Sequence, residues 1–194
     1  FGALIQSLVP ANSLLDPTAY IGFGWMGVPL FFILSGWLLG GQVIRADITA
    51  GYLRHFWTRR FLRIYPAVWA ELLVLLLLAR SIPGLIDAAS YNTLHLQFLL
   101  WLNLPPFMAA PLNLVWWTLP VELAFYLLLP LLGWCAGFVN WRVLLLSSLS
   151  ITLAWRFLIF STAEVDNYLA ILPMLDSLLG TLFTFMLGFS LNFL

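Results

Sequence analysis

The sequence predicts an all-α protein, a polytopic transmembrane helix bundle. Hydrophobic residues make up 63% of the 194 residues, and charged residues only 8%, against roughly 25% in soluble domains. No residue is charged in the runs 17–44, 123–141 and 177–194. Each is close to the roughly 20 residues that cross a bilayer as a helix. We therefore expect several helices to span the lipid bilayer and to pack against one another.

About five full spans follow one another along the chain, preceded by the tail of another helix at residues 1–9. They are predicted over residues 20–40, 64–79 and 115–138, then up to about 160, and finally from Pro173 onward. Asn92–Leu102 has an amphipathic pattern, which predicts an interfacial or partly buried segment with Trp101 near the membrane surface. The chain opens without Met and ends inside an apolar run, so we expect residues 1–194 to be a partial membrane domain, truncated at both ends.

Residues 42–63 form a predicted loop that holds five of the eight arginines: Arg45, Arg54, Arg59, Arg60 and Arg63. Cytoplasmic loops of membrane proteins are enriched in Arg and Lys, so this loop is expected to be cytoplasmic. Arg59, Arg60 and Arg63 are three and four residues apart, a spacing that places them on one side of a helix. Guanidinium groups bind phosphates through paired hydrogen bonds. Membrane topology alone remains an alternative reason for these arginines.

Composition excludes several functions. Eight acidic residues balance eight arginines, and no basic tract alternates with exposed aromatic residues, so no nucleic acid partner is expected. Cys135 is the only cysteine, which excludes an internal disulfide and a multi-cysteine metal site. His55 and His95 lie in separate predicted loops without metal-ligand spacing. We expect neither a bound metal nor a permanently bound cofactor.

The stretch GFGWMG at residues 22–27 matches a dinucleotide-binding fingerprint, and Asp47 follows at the spacing of a ribose-binding acid. That fingerprint requires a strand before it and an amphipathic helix after it. Pro17 interrupts the preceding segment, and the following residues are apolar on every face. Asp47 is also expected across the membrane from these glycines, so the match does not indicate a nucleotide cofactor.

Glu122 is the main candidate for chemistry, because it lies about two turns inside the predicted third span. A carboxyl group inside the membrane is costly and therefore indicates function. Thr118, Phe125 and Tyr126 share its helical face. The group suits proton exchange, and the alternative is a carboxylate that only links helices.

Two further acidic residues lie in predicted spans. Asp176 is expected to start the last helix, where acids are favoured by the helix dipole alone. The small residues Gly180, Thr184 and Gly188 follow it at four-residue spacing, which indicates tight helix packing. Glu71 lies within the second span and should pair with another helix.

Three segments, in this order and spacing, resemble the membrane acyltransferase 3 family: GVPLFFILSGWLLG (27–40), RRFLRIYP (59–66) and WTLPVELAFYLLLPLL (117–132). LDSLLGTL (175–182) is a weaker, fourth resemblance. Two positions depart from the family pattern. Thr118 stands where Ser is usual, and Pro29 stands where an acidic residue is common.

The resemblance implies about ten membrane helices and transfer of an acyl group, usually acetyl, from cytoplasmic acyl-CoA to a hydroxyl of a glycan or other acceptor. It implies the bacterial inner membrane as the location. Arg60 and Arg63, with Arg59, would hold the CoA phosphates, and Glu122 would assist proton transfer or orient a catalytic histidine. Ser35 and Gly36 would let the acyl-carrying arm pass close to the backbone. Further substrate contacts are expected from the remaining motif residues Trp117, Thr118, Tyr126 and Asp176.

The family's catalytic histidine is expected on a helix upstream of Phe1, and His55 and His95 do not match its position. Two rival functions remain at this point. One is a transporter that uses Glu122 and Asp176 for ion or substrate coupling, and the other is a membrane scaffold without catalysis. The sequence does not identify the acceptor or the length of the acyl chain.

Overall fold

The computed structural model describes residues 27–102, 109, 111–162 and 173–194, and no β-strand occurs in these ranges. A 3₁₀ turn, Leu114–Trp117, precedes the fifth helix, and another, Leu191–Phe193, follows the last. The helices that build the bundle are α1 Gly27–Ile44, α2 Ala50–Ala79, α3 Ala88–Asn92, α4 Leu94–Leu99, α5 Thr118–Cys135, α6 Trp141–Thr162 and α7 Leu178–Ser190.

Five segments are long and apolar enough to cross a membrane: α1, α2, α5, α6 and the segment Pro173–Phe193 that contains α7. The predicted all-α, multi-pass architecture with five full spans is confirmed over the described part of the chain. The expected helix tail at residues 1–9 lies outside the described residues, and so does GFGWMG except for Gly27.

The bundle has two ends. The basal end carries the turns 45–49 and 136–140 and the C-terminal residue Leu194, and the apical end is where α1 and α5 begin. At the basal end, Asn192 Nδ2 donates a hydrogen bond to the Trp37 carbonyl at 3.0 Å. The rings of Trp141 and Phe193 stack there with centroids 6.4 Å apart. The last residues of the chain are thereby held against α1 and the start of α6.

Helices α1 and α7 form the tightest contact of the bundle. A Cβ added at Gly36 would overlap the Phe185 carbonyl of α7, and one added at Gly188 would overlap the Ile33 carbonyl of α1. The prediction of tight packing at the α7 glycines is confirmed for Gly188. Gly180 lies instead against the Leu175 carbonyl, within its own segment.

Three phenylalanines fill the space between α1, α5 and α7. Phe185 stacks on Phe32 with ring centroids 4.4 Å apart and on Phe125 at 3.9 Å. All three side chains are fully buried. This stack fixes α5 against the α1–α7 pair, and α5 in turn carries the candidate site.

The predicted loop over 42–63 is wrong, because α2 begins at Ala50 and runs through that segment. Thr49 caps its first turn by accepting a hydrogen bond from Tyr52 N at 3.2 Å. Pro66 is therefore inside the helix, not in the first turn of a span that begins at 64. Apart from Gly51, no helix breaker stands between Ala50 and Pro66, so the helix starts early.

The length of α2 changes the setting of its arginines. Thirty residues extend about 45 Å, whereas the 18 residues of α1 or α5 extend about 27 Å. Trp57 Nε1 donates a hydrogen bond to the Tyr126 carbonyl at 3.2 Å, in the middle of α5. The first half of α2 therefore lies beside the middle of α5, and Arg60 belongs to the bundle and not to a surface loop.

Beyond α2 the chain folds back onto it. Trp69 stacks on Phe98 at 4.9 Å and donates its Nε1 hydrogen to the Phe98 carbonyl at 3.1 Å. Glu71 accepts hydrogen bonds from Asn113 Nδ2 at 2.6 Å and from Trp116 Nε1 at 2.9 Å. The partners of Glu71 thus lie in the segment that leads into α5.

Substitution of Gly36 or Gly188 by Ala is expected to lower the free energy of unfolding by about 1–3 kcal/mol, because the added methyl group overpacks a backbone contact. The control is Gly51→Ala in α2, whose nearest neighbour would be 3.9 Å away. It should be neutral or stabilise by at most about 1 kcal/mol. Thermal unfolding of the purified variants measures both effects, and equal behaviour of Gly188→Ala and Gly51→Ala would contradict the described α1–α7 contact.

Candidate active site

Glu122 and Tyr126 form the centre of the candidate site. Glu122 is the fifth residue of α5, so it lies one turn inside the helix and not two as predicted. Its side chain is only 5% exposed. Tyr126 follows one turn later and donates its hydroxyl hydrogen to Glu122 Oε1. The predicted common face of these two residues is confirmed, and the carboxyl group has a partner on its own helix.

Arg60 of α2 packs against the Tyr126 ring. Its guanidinium carbon lies 5.5 Å from the centre of that ring and 5.3 Å from the centre of Phe56, distances typical of cation–π contacts. One Nη donates to Gln42 Oε1 of α1 at 3.2 Å. The Nε hydrogen is buried and finds no acceptor in the described part of the protein. Arg60 therefore keeps an unused donor beside the site.

Tyr126 contacts both Glu122 and Arg60, the first through its hydroxyl group and the second through its ring. No ion pair within 4.0 Å joins Arg60 or Arg63 to Glu122 in the described ranges. Tyr126 therefore links Arg60 and Glu122, which form no direct ion pair with each other.

The three arginines of the motif are not equally placed. Arg60 is half-buried, whereas Arg59 and Arg63 are exposed. The three arginines were predicted on one side of the helix, but their exposure differs, because only Arg60 is partly buried. Arg60 points into the bundle, and the other two extend the positive charge towards the surface of α2.

Two cavities of about 360 Å³ each lie near the cluster. The first, here called the apolar groove, lies between α2, α4 and α5 and is lined by Trp57, Arg60, Phe61, Tyr65, Leu99, Trp101, Leu123, Tyr126 and Leu127. The second, here called the basal cavity, is lined by Trp37, Leu38, Gly41, Gln42, Arg45 and Asn192. Arg60 thus lines the apolar groove, and its hydrogen-bond partner Gln42 lines the basal cavity.

Asp176 lies apart from this cluster, near the apical end. Asp176 was predicted to be the first residue of the last helix. Instead it lies in the turn before α7, which begins at Leu178. Arg156 of α6 donates two hydrogen bonds to the Gly180 carbonyl, at 3.2 and 3.1 Å, and one Nη lies 4.0 Å from Asp176 Oδ1. These side chains border an apical cavity of about 130 Å³, lined by Val28, Pro29, Phe32, Trp117, Arg156, Asp176, Thr181 and Thr184.

The predicted site residues do not form one site but lie in three places in the structure. Glu122, Tyr126 and Arg60 meet, whereas Trp117 and Asp176 share the apical cavity. Ser35 is buried in α1, and the open side of Gly36 is filled by α7, so helix packing accounts for this glycine.

Several residues of these sites were not predicted, among them Gln42, Phe56 and Arg156. Gln42 could have been noticed as a polar residue in an otherwise apolar run, and Arg156 as a charged residue well inside the fourth span. Phe56 had no distinguishing signal, because phenylalanine is frequent throughout this chain.

Tyr126→Phe is expected to reduce stability by about 1–3 kcal/mol, since the buried Glu122 carboxyl loses its hydrogen-bond donor. Tyr52→Phe is the matched control. The Tyr52 hydroxyl is buried and has no partner among the described residues, so its removal should leave stability unchanged or increase it. Chemical or thermal unfolding of both variants checks the difference, and a Tyr126→Phe variant as stable as Tyr52→Phe would contradict the described hydrogen bond.

Comparison with known proteins agrees with the motifs. The profile of the family described as "Acyltransferase domain" matches residues 2–193. The chain is 31% identical to Nodulation protein 10 of Rhizobium leguminosarum bv. viciae over 126 residues, 57% of this chain and 33% of that protein. It is 32% identical to Acyltransferase MdmB of Streptomyces mycarofaciens over 131 residues, 59% and 33% of the two chains.

A third relative is the peptidoglycan O-acetyltransferase OatA of Listeria monocytogenes serovar 1/2a, 29% identical over 133 residues, 61% of this chain and 21% of that protein. The matched region thus spans a third or less of the length of these relatives. No solved structure gives a significant match. Because the family profile covers nearly the whole sequence, the chain belongs to the acyltransferase 3 family of membrane proteins.

Proposed function

We propose that the protein is an integral membrane O-acyltransferase, which moves an acyl group from acyl-CoA to a hydroxyl of a glycan or other acceptor. The observation that carries this proposal is the buried cluster of Arg60, Tyr126 and Glu122, which joins two of the family motifs across α2 and α5. Family membership supports acyl transfer over the transporter alternative. The printed name of the Listeria relative, a peptidoglycan O-acetyltransferase, supports a glycan acceptor.

The donor would bind from the basal end. CoA carries several phosphates, and arginine is the side chain best suited to hold them. Arg60 and Arg63, with the exposed Arg59, supply adjacent guanidinium groups on α2, and Arg45 adds another in the basal cavity. The unused Nε–H of Arg60 is the kind of donor that a ligand oxygen would satisfy. CoA is in this proposal a substrate and not a resident cofactor.

The reaction would transfer the acyl group without a net change of oxidation state. The acceptor oxygen attacks the thioester carbon, the carbon–sulfur bond breaks, and a carbon–oxygen ester bond forms. The acceptor hydroxyl gives up its proton, and the thiolate of CoA takes one. The base expected from the family resemblance is a histidine on a helix upstream of Phe1. A positive charge such as that of Arg60 would stabilise the negative charge that develops on the thioester oxygen.

Glu122 would support this base. A carboxyl group that is almost completely buried and bonded to Tyr126 is held in one orientation. It can orient the histidine ring or exchange its proton. Tyr126 would position Glu122 and also line the donor path.

The proposal also includes the orientation in the membrane. Arg45 and Arg54 lie at or near one basal turn and Arg142 follows the other, so the positive-inside rule supports a cytoplasmic basal end. The membrane would be the bacterial inner membrane, and acyl-CoA is available on that side. The apical cavity with Trp117 and Asp176, next to Thr118, would then face the acceptor.

Glu122→Gln is expected to lower kcat for transfer from acetyl-CoA by about 10²-fold or more, the size of a general acid–base contribution. Asp87→Asn is the matched control, because Asp87 is an exposed acid that caps α3 by accepting from Ser90 N, a role that Asn also fills. The assay is transfer of labelled acetyl in membranes with equal protein content. Near-normal turnover of Glu122→Gln would remove Glu122 from the mechanism.

Replacing Arg60 and Arg63 by Ala is expected to raise KM for acetyl-CoA about tenfold or more, since hydrogen bonds to charged groups contribute about 1.5–3 kcal/mol each. Arg80→Ala at the other end of α2 is the control and should leave KM unchanged. Steady-state kinetics with varied acetyl-CoA gives the values. An unchanged KM in a correctly inserted double variant would support topology as the role of these arginines.

A further inference from the structure

The apolar groove begins at the candidate site. Arg60 and Tyr126 line it, and the same two residues contact each other through the cation–π pair. From there it continues along two walls, with Phe61 and Tyr65 of α2 on one side and Leu123 of α5 on the other. A group held at Arg60 therefore has an adjoining space of about 360 Å³.

The chemistry of that space is almost entirely hydrocarbon. The Tyr65 hydroxyl is turned away to the Leu99 carbonyl at 3.0 Å, and the Tyr126 hydroxyl is turned to Glu122. Trp57 Nε1 donates to the Tyr126 carbonyl. These polar atoms are already engaged, so the groove presents rings and leucine side chains, and Arg60 is the one charged residue among its described lining residues.

An alkyl chain would complement the apolar lining of this groove. Burying one methylene contributes about 0.8 kcal/mol, but the methyl group of acetyl is too small to reach along the groove. A longer acyl chain would place its thioester carbonyl beside the guanidinium of Arg60 and its alkyl part against Leu123 and Leu127. The positive charge at one end and the apolar walls beyond it complement those two parts of an acyl thioester.

We propose that the apolar groove binds the alkyl chain of the acyl donor, and that the protein prefers a donor with a chain longer than acetyl. This inference rests on the proposed use of acyl-CoA. The occupant is the donor chain and not a bilayer lipid, because the groove adjoins the cluster where the thioester would react.

The test measures binding of CoA, acetyl-CoA, butyryl-CoA and octanoyl-CoA to the purified full-length protein in lipid nanodiscs. Trp57 and Trp101 line the groove, so their fluorescence reports occupancy, and calorimetry gives the dissociation constants. We expect octanoyl-CoA to bind at least about tenfold more tightly than acetyl-CoA, which corresponds to about 1.4 kcal/mol.

Leu123→Trp should fill the groove and abolish the preference for octanoyl-CoA while binding of CoA itself stays the same. Leu131→Trp is the control, because Leu131 is on the same helix, is exposed and does not line the groove. It should keep the preference of the unmodified protein.

Equal affinities for acetyl-CoA and octanoyl-CoA would overturn the inference alone and would indicate that a bilayer lipid occupies the groove. The same holds if the preference survives in Leu123→Trp. Failure of CoA and all three esters to bind would instead contradict the proposed donor, and the inference with it.

Discussion

A carboxyl group buried among apolar helices must be satisfied by its neighbours, and the requirement of Glu122 organises the centre of this protein. Its hydrogen-bond donor is Tyr126, one turn along the same helix. Arg60 packs against the ring of Tyr126, and Gln42 of α1 accepts a hydrogen bond from the Arg60 guanidinium. A chain of contacts thus connects α5, α2 and α1 through one acidic residue.

This arrangement depends on packing elsewhere in the bundle. Helices α1 and α7 approach closely at Gly36 and Gly188. Phe185 of α7 stacks on Phe125 of α5, which lies three residues after Glu122. On the other side, Trp57 fixes α2 to the Tyr126 carbonyl. Glu122 therefore has little freedom to move. Preorganised polar groups in a dry environment are what catalysis of acyl transfer requires.

Much of the fold was predictable, because long uncharged runs identify α1, α5 and the segment that contains α7 as helices that can span a membrane. The common helical face of Glu122 and Tyr126 followed from their four-residue spacing. The extent of α2 was not predictable in the same way, since its arginines resemble those of a loop and hydropathy does not detect a helix that continues beyond the apolar segment. The residues that contact Arg60 could not be predicted, and neither could the location of Glu122 and Asp176 in separate sites. Both depend on tertiary packing, which the spacing of residues along one helix does not reveal.

In the proposed reaction, the acyl donor binds beside the cluster of Arg60, Tyr126 and Glu122. Infrared difference spectroscopy of the protein on addition of acetyl-CoA tests this most directly, with the band of the Glu122 carboxyl group assigned through its loss in Glu122→Gln. We expect acetyl-CoA to shift this band, and we expect the shift to disappear when Arg60 is replaced by Ala. Saturating binding of acetyl-CoA with no change in the Glu122 band would contradict it.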